Sequence, residues 1–212
     1  MRDYDGKTAD ERVADRRARL IAAGVELFGE HGYAGTSIRS VLRHSGLRDR
    51  YFGESFADLD SLLGATYAQL IDEQLESCRA AIEVTAGGSE GARAMIETLT
   101  RLLENNPGQA RIKLREVLSG GPVAKAQRQR GHQKIAQHVA DLLPQSATVT
   151  PRDRLLLGLG VVATADELLL AWLDNEMSVS REDVVEMVMF FFDAAAQRVG
   201  DCTTGSVTNS PR

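Results

Sequence analysis

Several residue types that carry out catalysis or bind metals are present in the chain, but their spacing does not form a site. His132 and His138 lie six residues apart, so a helix would not place them on one face as the i, i+4 pair that binds a metal. Cys78 and Cys202 match neither a disulfide framework nor a metal-binding spacing. The adjacent carboxylates Asp166–Glu167 are typical of a helix surface or cap. The sequence therefore predicts no enzyme, no metal and no cofactor.

Phosphate binding is the chemistry that the charge distribution favours. The 212-residue chain has a formal net charge of −5, which is unusual for a protein that binds nucleic acid. Residues 1–50, however, hold ten basic and eight acidic residues, whereas the remainder holds fifteen basic and twenty-two acidic ones. The basic excess thus lies at the start of the chain, so we expect the elements that bind phosphate to lie there.

Almost the whole chain shows the 3.6-residue apolar period of helices, which predicts an all-α fold. We expect a three-helix domain at 12–57, a helical body at 58–199, and disordered tails at 1–11 and 200–212. No segment is predicted to cross a membrane and none resembles an export signal, so we expect a cytoplasmic protein. The Gly87–Gly91 stretch is interpreted as a loop. The body helices are predicted at 92–104, 109–118, 123–143, 152–174 and 181–199, after one that begins near Asp58.

The first domain has the parts of a helix-turn-helix. A long helix over 12–30 is followed by a tight corner, and Thr36 or Ser37 then caps a short helix that Gly46 ends. A second short helix over 48–55 is anchored by Phe52 and the following Phe56. Two short helices joined by a glycine turn can place the second one in a major groove roughly 12 Å wide.

Residues 14–70 contain several motif elements at fixed spacing: Ala22-Ala23-Gly24-Val25-Glu26-Leu27-Phe28, His31-Gly32-Tyr33, Thr36-Ser37-Ile38, Ser45-Gly46-Leu47, Phe56 and Leu62-Leu63. At these residues the chain resembles the TetR family of bacterial regulators. This resemblance implies a transcriptional regulator that binds double-stranded operator DNA as a homodimer. It also implies a repressor that a small, mostly hydrophobic effector releases from its operator.

The resemblance also implies which residues meet the DNA. Thr36, Ser37 and Arg39 are expected to approach phosphates, and the third helix is expected to contact bases. Basic residues early in the first helix, namely Arg16, Arg17 and Arg19, are candidates for backbone contacts. The full set of DNA-contact candidates is Arg16, Thr36, Ser37, Arg39, Arg43, His44, Arg48, Asp49, Arg50, Tyr51 and Gly53.

Gly53 departs from the pattern of the proteins that the chain resembles, which usually have a tyrosine at this position. The phosphate contact of that tyrosine is absent here, and a glycine inside a helix costs roughly 1 kcal/mol relative to alanine. Tyr51 cannot substitute directly, because a shift of two residues turns a side chain to nearly the opposite face of a helix. The alternative interpretation is a helical ligand-binding dimer with weakened or lost operator binding.

The helical body is expected to supply an effector site and a dimer interface. The resemblance places the effector among its fourth to eighth helices, and the candidates are Leu99, Leu102, Leu103, Arg111, Leu114, Glu167, Leu168 and Trp172. The last two helices are apolar around most of their circumference, which indicates a second copy of the chain as partner. The interface candidates are Leu156, Leu159, Val162, Ala163, Leu170, Leu173, Val184, Met187, Val188, Phe191 and Ala195, with Gly158 and Gly160 allowing close approach.

Overall fold

The computed structural model describes residues 8–175 and 178–204, and this part of the chain contains helices and no strand, as the all-α prediction requires. The elements in chain order are α1 (Ala9–His31), α2 (Ile38–Ser45), α3 (Asp49–Ser55), α4 (Leu59–Glu83), α5 (Gly88–Asn105), α6 (Pro107–Arg111), a π-helical segment (Ile112–Glu116), α7 (Val117–Ser119), α8 (Pro122–Leu142), α9 (Pro151–Leu173) and α10 (Arg181–Thr204). They form two compact units. The first unit comprises residues 8–71 and 106–128, and the second comprises 72–105, 129–175 and 178–204.

Helix α1 begins earlier than the apolar period predicts. Thr8 is its N-cap, accepting from the backbone N–H of Glu11 at 3.2 Å while its own N–H donates to the Glu11 carboxylate at 2.6 Å. This capping box lies in a polar stretch, where no apolar stripe marks the helix. The boundary predicted at residue 12 is therefore wrong, as is the tail predicted from residue 200, because α10 continues to Thr204. Residues 1–7 and 205–212 of the predicted tails lie outside the described residues.

Two body predictions also need correction. The Gly87–Gly91 stretch is a loop only at its start, because α5 begins at Gly88 and takes the other residues as its first turn. The helix predicted over 109–118 is interrupted by the π-helical segment between α6 and α7. An apolar period does not distinguish α from π hydrogen bonding over five residues, so the sequence carries no signal for this change.

In the first unit, α1 packs against α2, α3, α6 and the π-helical segment. A Cβ added to Gly24 would lie 2.7 Å from the Thr66 hydroxyl of α4, so a glycine is needed for this approach. Gly29 and Gly108 bring the backbones of α1 and α6 together in the same way. The long first helix thus serves as the support on which the two short helices are mounted.

Asp60 joins the start of α4 to the start of α8 within the first unit. Its buried carboxylate accepts from the backbone N–H groups of Gly121 at 2.8 Å, Val123 at 2.9 Å and Ala124 at 3.1 Å. These donors include first-turn groups of α8 that have no partner within the helix. The carboxylate therefore caps α8 from a neighbouring helix and complements its dipole.

In the second unit, α10 packs against α5 and α9. Gly158 is buried against the backbone of α8 near Ala136, so its close approach is to the same chain, which corrects its predicted place at a dimer interface. Helix α9 is also long and apolar enough to cross a membrane by length and composition alone, and only a minority of that stretch is buried. A core helix of a protein passes the same test, so one such helix is weak evidence for a membrane span.

Candidate nucleic-acid interface

Helix α2 is short because its two ends are fixed by local hydrogen bonds. Ser37 is its N-cap and exchanges hydrogen bonds with Ser40, at 3.1 Å from the Ser40 N–H and 3.0 Å to the Ser40 hydroxyl. Gly46 ends the helix in the left-handed conformation with φ +65°, which a residue with a Cβ rarely adopts. Val41 and Leu42 are buried, so the opposite face of α2 is turned outward.

Helix α3 is anchored by two aromatic side chains. Phe52 and Phe56 are each 4% exposed, and their ring centroids lie 5.9 Å apart in a tilted arrangement. Burial of two such rings fixes which face of this seven-residue helix is turned outward. The predicted geometry of the second short helix, with an apolar anchor and a polar outer face, is thus present.

The outward faces of α2 and α3 carry most of the predicted DNA-contact residues. They include four arginines and one acidic residue, so the candidates together carry a net positive charge. This charge favours phosphate binding. The exposed candidates are Ser37, Arg39, Arg43, His44, Arg48, Asp49, Arg50 and Gly53, and Tyr51 is half-buried.

Thr36 is a correction to the predicted set of phosphate contacts. It is 8% exposed, and its hydroxyl donates to the Gly32 carbonyl at 2.7 Å and lies 3.3 Å from the Leu27 carbonyl. Both carbonyls belong to the end of α1, where the last turn of a helix leaves acceptors without partners. Thr36 therefore closes α1, and the capping of α2 belongs to Ser37 alone.

Three of the arginines of α1, namely Arg16, Arg17 and Arg19, turn toward α2 and α3. Arg16 forms an ion pair with Glu54 at 3.0 Å, and its guanidinium lies over the Tyr51 ring at 4.6 Å. Arg17 donates to the Ser55 carbonyl at 2.9 Å and lies over the ring of Phe56. A third contact is the hydrogen bond from Arg19 to the Ser45 carbonyl. All three cations thus meet the C-terminal ends of the short helices, where positive charge is favourable.

Two guanidinium groups lie over the ring of Tyr51. Arg50 donates to the Tyr51 hydroxyl at 2.6 Å and its guanidinium is 4.6 Å from the ring centroid, the same distance as that of Arg16. The hydrogen bond from Arg50 lowers the pKa of Tyr51 below its ordinary value. At Gly53, no heavy atom of the described residues outside the adjoining residues and the backbone of α3 lies within 4 Å of the place that a Cβ would take. The missing tyrosine thus leaves open space at the surface of α3.

The corner between α1 and α2 is held by a contact that sequence reasoning missed. Glu116 of the π-helical segment accepts from the Tyr33 backbone N–H at 2.7 Å and from Arg111 Nε at 2.7 Å. Arg111 also donates to the Glu30 carbonyl at 3.2 Å. Arg111 was predicted to bind an effector, and this is corrected because its side chain supports the corner within the first unit. Residues 83 positions apart carry no local pattern that would reveal the contact.

The other effector candidates divide between the two units. Leu114 is buried in the first unit, and Leu103 is 1% exposed in the core of the second. The remaining candidates belong to the second unit, where Glu167 is exposed and the others are half-buried: Leu99, Leu102, Leu168 and Trp172. Trp172 borders an open depression of about 720 Å³, whose other lining residues are polar or charged: Arg101, Glu104, Asn105, Ser180, Arg181 and Glu182.

The dimer candidates separate into an outward and an inward group. Four of them are buried within the second unit and are corrections, because they pack in the chain's own core: Val162, Val184, Val188 and Ala195. Leu170 is half-buried. The candidates that remain exposed are Leu156, Leu159, Ala163, Leu173, Met187 and Phe191. Phe190 is 64% exposed and was missed, although it lies in the same apolar run as Phe191.

Comparison with known proteins links this arrangement to bacterial regulators. No family model matches the chain. The HTH-type transcriptional activator FasR of Mycolicibacterium smegmatis is 20% identical over 177 residues, which are 84% of this chain and 81% of FasR. The regulator FadR of Bacillus subtilis, solved with stearoyl-CoA, has a TM-score of 0.68 at 16% identity and covers 84% of this chain and 97% of its own. A tetR-family regulatory protein of Rhodococcus RHA1 has a TM-score of 0.57 at 18% identity, covering 87% of this chain and 96% of its own.

The chain has the TetR-family fold. The resemblance predicted from residues 14–70 is confirmed, and the structural likeness extends over the body as well. Within the TetR fold, α2 and α3 are the helix-turn-helix and α1 is the helix that supports it.

Proposed function

We propose that this chain is a DNA-binding transcriptional regulator in which α3 enters the major groove of an operator. The observation that carries the proposal is the outward face of α2 and α3, where four arginines lie beside a helix of groove-compatible size. The buried anchors Phe52 and Phe56 hold that face outward. The TetR fold and the regulators that share it support the same interpretation.

The experiment is a binding titration of purified protein on the DNA upstream of its own gene, with excess nonspecific competitor and at two salt concentrations. A specific complex that weakens with salt supports the proposal, since phosphate contacts release counterions. Arg50→Ala should lower specific affinity by about 1–3 kcal/mol if Arg50 contacts a base edge. Absence of any specific complex in a folded dimer would favour the alternative, a helical ligand-binding protein that lost operator binding at Gly53.

We further propose a homodimer formed through α9 and α10. Helices α9 and α10 carry large apolar side chains that are exposed in one copy, with Phe190 64%, Leu156 49%, Met187 44% and Phe191 42% exposed. A two-fold axis would bury this face against its own copy and set two α3 helices about one DNA turn, or a multiple of it, apart.

A double substitution Phe190→Glu and Phe191→Glu should convert the dimer to monomer in sedimentation velocity. Val84→Asp is the matched control, because Val84 is 86% exposed but lies outside α9 and α10. If both variants stay dimeric, the proposed interface is wrong. If the wild type is monomeric and binds lipid vesicles through α9, the apolar face serves a membrane instead.

The effector proposed for the second unit is a small, mostly hydrophobic molecule. The half-buried Leu99, Leu102 and Leu168 supply apolar surface, and FadR, which shares the fold, is described with stearoyl-CoA. Trp172 is the single tryptophan of the chain and borders the open depression of the second unit, so its fluorescence reports on that depression without a label. Titration of long-chain acyl-CoA, whose acyl chain supplies the apolar part, should shift the Trp172 emission, and unchanged emission together with unchanged DNA affinity would exclude long-chain acyl-CoA as the effector.

Release of DNA by the effector, that is repression, is the proposed outcome and rests on the family resemblance. The relative FasR is named an activator, so both outcomes exist among proteins similar to this one. A promoter–reporter fusion in cells with and without the gene distinguishes them. Higher reporter expression without the gene supports repression, and lower expression contradicts it.

A further inference from the structure

The recognition helix α3 has little internal support for its conformation. It contains seven residues, fewer than an isolated helix needs for stability, and Gly53 in its interior lowers its helix propensity by roughly 1 kcal/mol relative to alanine. Its N-cap, Arg48, makes no capping hydrogen bond from its side chain to the described residues. The conformation of α3 must therefore be maintained by contacts from outside the helix.

Arg16 of α1 makes such contacts on both sides of the glycine. Its guanidinium lies 4.6 Å from the Tyr51 ring centroid, two residues before Gly53, and 3.0 Å from the Glu54 carboxylate, one residue after it. The Arg16 side chain is only 20% exposed. One side chain from the supporting helix thus contacts α3 immediately before and after its weakest position.

The charges around Arg16 favour contacts within the protein over a contact with DNA. Glu54 lies in the last turn of α3, where a negative charge is unfavourable next to the helix dipole, and the Arg16 cation offsets it. Arg16 Nε is buried and makes no hydrogen bond within the described residues, while the guanidinium carbon lies over the Tyr51 ring. The buried guanidinium thus has a cation–π contact inside the protein.

We propose that Arg16 is a positioning residue for the recognition helix, acting through Tyr51 and Glu54 rather than through a DNA phosphate. Through these contacts Arg16 compensates for Gly53 and fixes the direction in which Tyr51 and its partner Arg50 are presented. The proposal rests on the proposed function, because its consequence is measured in part as operator recognition. It reassigns a residue that the family resemblance places among the backbone contacts.

The two roles give opposite results in a charge-reversal experiment. Arg16→Gln should lower affinity for specific DNA roughly five- to tenfold, as expected for loss of a half-exposed ion pair and a cation–π contact. The double variant Arg16→Glu with Glu54→Arg restores the ion pair at unchanged net charge, although not the cation–π contact with Tyr51, and should recover part of that loss. If Arg16 contacts a phosphate, the glutamate is repelled and the double variant binds more weakly than Arg16→Gln, which overturns the proposal.

Salt dependence and specificity separate positioning from the other roles. A lost phosphate contact lowers the slope of log K against log salt by about 0.9 and weakens specific and nonspecific DNA equally. Arg39→Gln, which alters a candidate phosphate contact, is the control expected to behave in this way. For Arg16→Gln we expect an unchanged slope and a lower ratio of specific to nonspecific affinity, whereas a general loss of stability would leave that ratio unchanged.

Amide hydrogen exchange tests the proposal without DNA. Arg16→Gln should speed exchange at the α3 amides several-fold, and the charge-reversed pair should slow it again, while α4 stays protected. Unchanged exchange in α3 would overturn the proposal even if Arg16→Gln weakens operator binding. If the wild type binds no specific DNA but α3 exchange responds as expected, the proposed function fails and the support of α3 by Arg16 stands.

Discussion

Replacing Asp60 tests how strongly a single buried carboxylate stabilises the first unit. Its oxygens accept three backbone N–H groups at 2.8, 2.9 and 3.1 Å, at the start of α8. Loss of an N-cap costs typically about 1 kcal/mol, and a buried donor left without its partner costs about 1–3 kcal/mol, with a less than additive total for donors that share one carboxylate. Because Asp60→Asn keeps one acceptor oxygen but loses the charge, we expect a loss of about 1–2 kcal/mol. Asp60→Ala leaves all three donors unsatisfied, and we expect about 2–4 kcal/mol.

The assay is urea unfolding followed by circular dichroism, in which the midpoint reports stability and an unchanged slope shows that the unfolded state is comparable. Asp72→Asn is the matched control on the same helix, since Asp72 is 59% exposed and its ion pair with Lys134 is worth at most about 1 kcal/mol. If Asp60→Asn and Asp72→Asn shift the midpoint equally, the assigned capping role of Asp60 is refuted. If the urea midpoint of Asp60→Ala is no lower than that of Asp60→Asn, the assignment of three backbone donors to the Asp60 carboxylate is refuted.

Three further predictions concern single side chains. Gly53→Ala places a Cβ in open space and should raise unfolding stability by about 1 kcal/mol, whereas a lower melting temperature would contradict the open geometry. Glu116→Gln weakens the bond from the Tyr33 N–H and should cost about 1 kcal/mol in urea unfolding; an unchanged midpoint would argue against the corner contact. Arg93 lowers the pKa of Glu186 chiefly by a hydrogen bond, so its stabilising effect is present above the ordinary pKa near 4.5 and is lost as pH falls through the lowered one. The melting temperatures of wild type and Arg93→Gln should therefore differ at pH 7 and converge in acid, and a difference that persists in acid would contradict this reasoning.

The helix-turn-helix could be predicted from the sequence because its signals are local. Ser37 and Gly46 mark the ends of α2 by capping chemistry, and Phe52 with Phe56 marks the buried side of α3. Each signal spans only a few residues, so no knowledge of the rest of the chain is needed. The capping choice between Thr36 and Ser37 was left open for the same reason, since either hydroxyl fits the pattern and only the packing against α1 decides.

The body was predicted less well because its apolar residues serve two kinds of packing. Val184 and Val188 face the core of the second unit, whereas Met187 and Phe191 on the same helix are exposed. A helix that is apolar around most of its circumference gives no sequence signal for which side meets its own chain. The π-helical segment and the Glu116 contact were missed because they depend on hydrogen bonds that composition does not encode.

The arginines of α1 show that the charge of a residue, like an apolar pattern, does not reveal which partner the residue contacts. From the sequence, a cluster of arginines next to a helix-turn-helix predicts contact with DNA. The C-terminal ends of neighbouring helices also attract cations, so the cluster alone does not show which partner the arginines meet. The structure uses Arg16, Arg17 and Arg19 for the second purpose. The count of basic residues therefore overestimates the charge available to phosphates at this interface. If Arg16, Arg17 and Arg19 keep their contacts with α2 and α3 in the DNA complex, the salt dependence of DNA binding reflects the exposed arginines of those two helices alone.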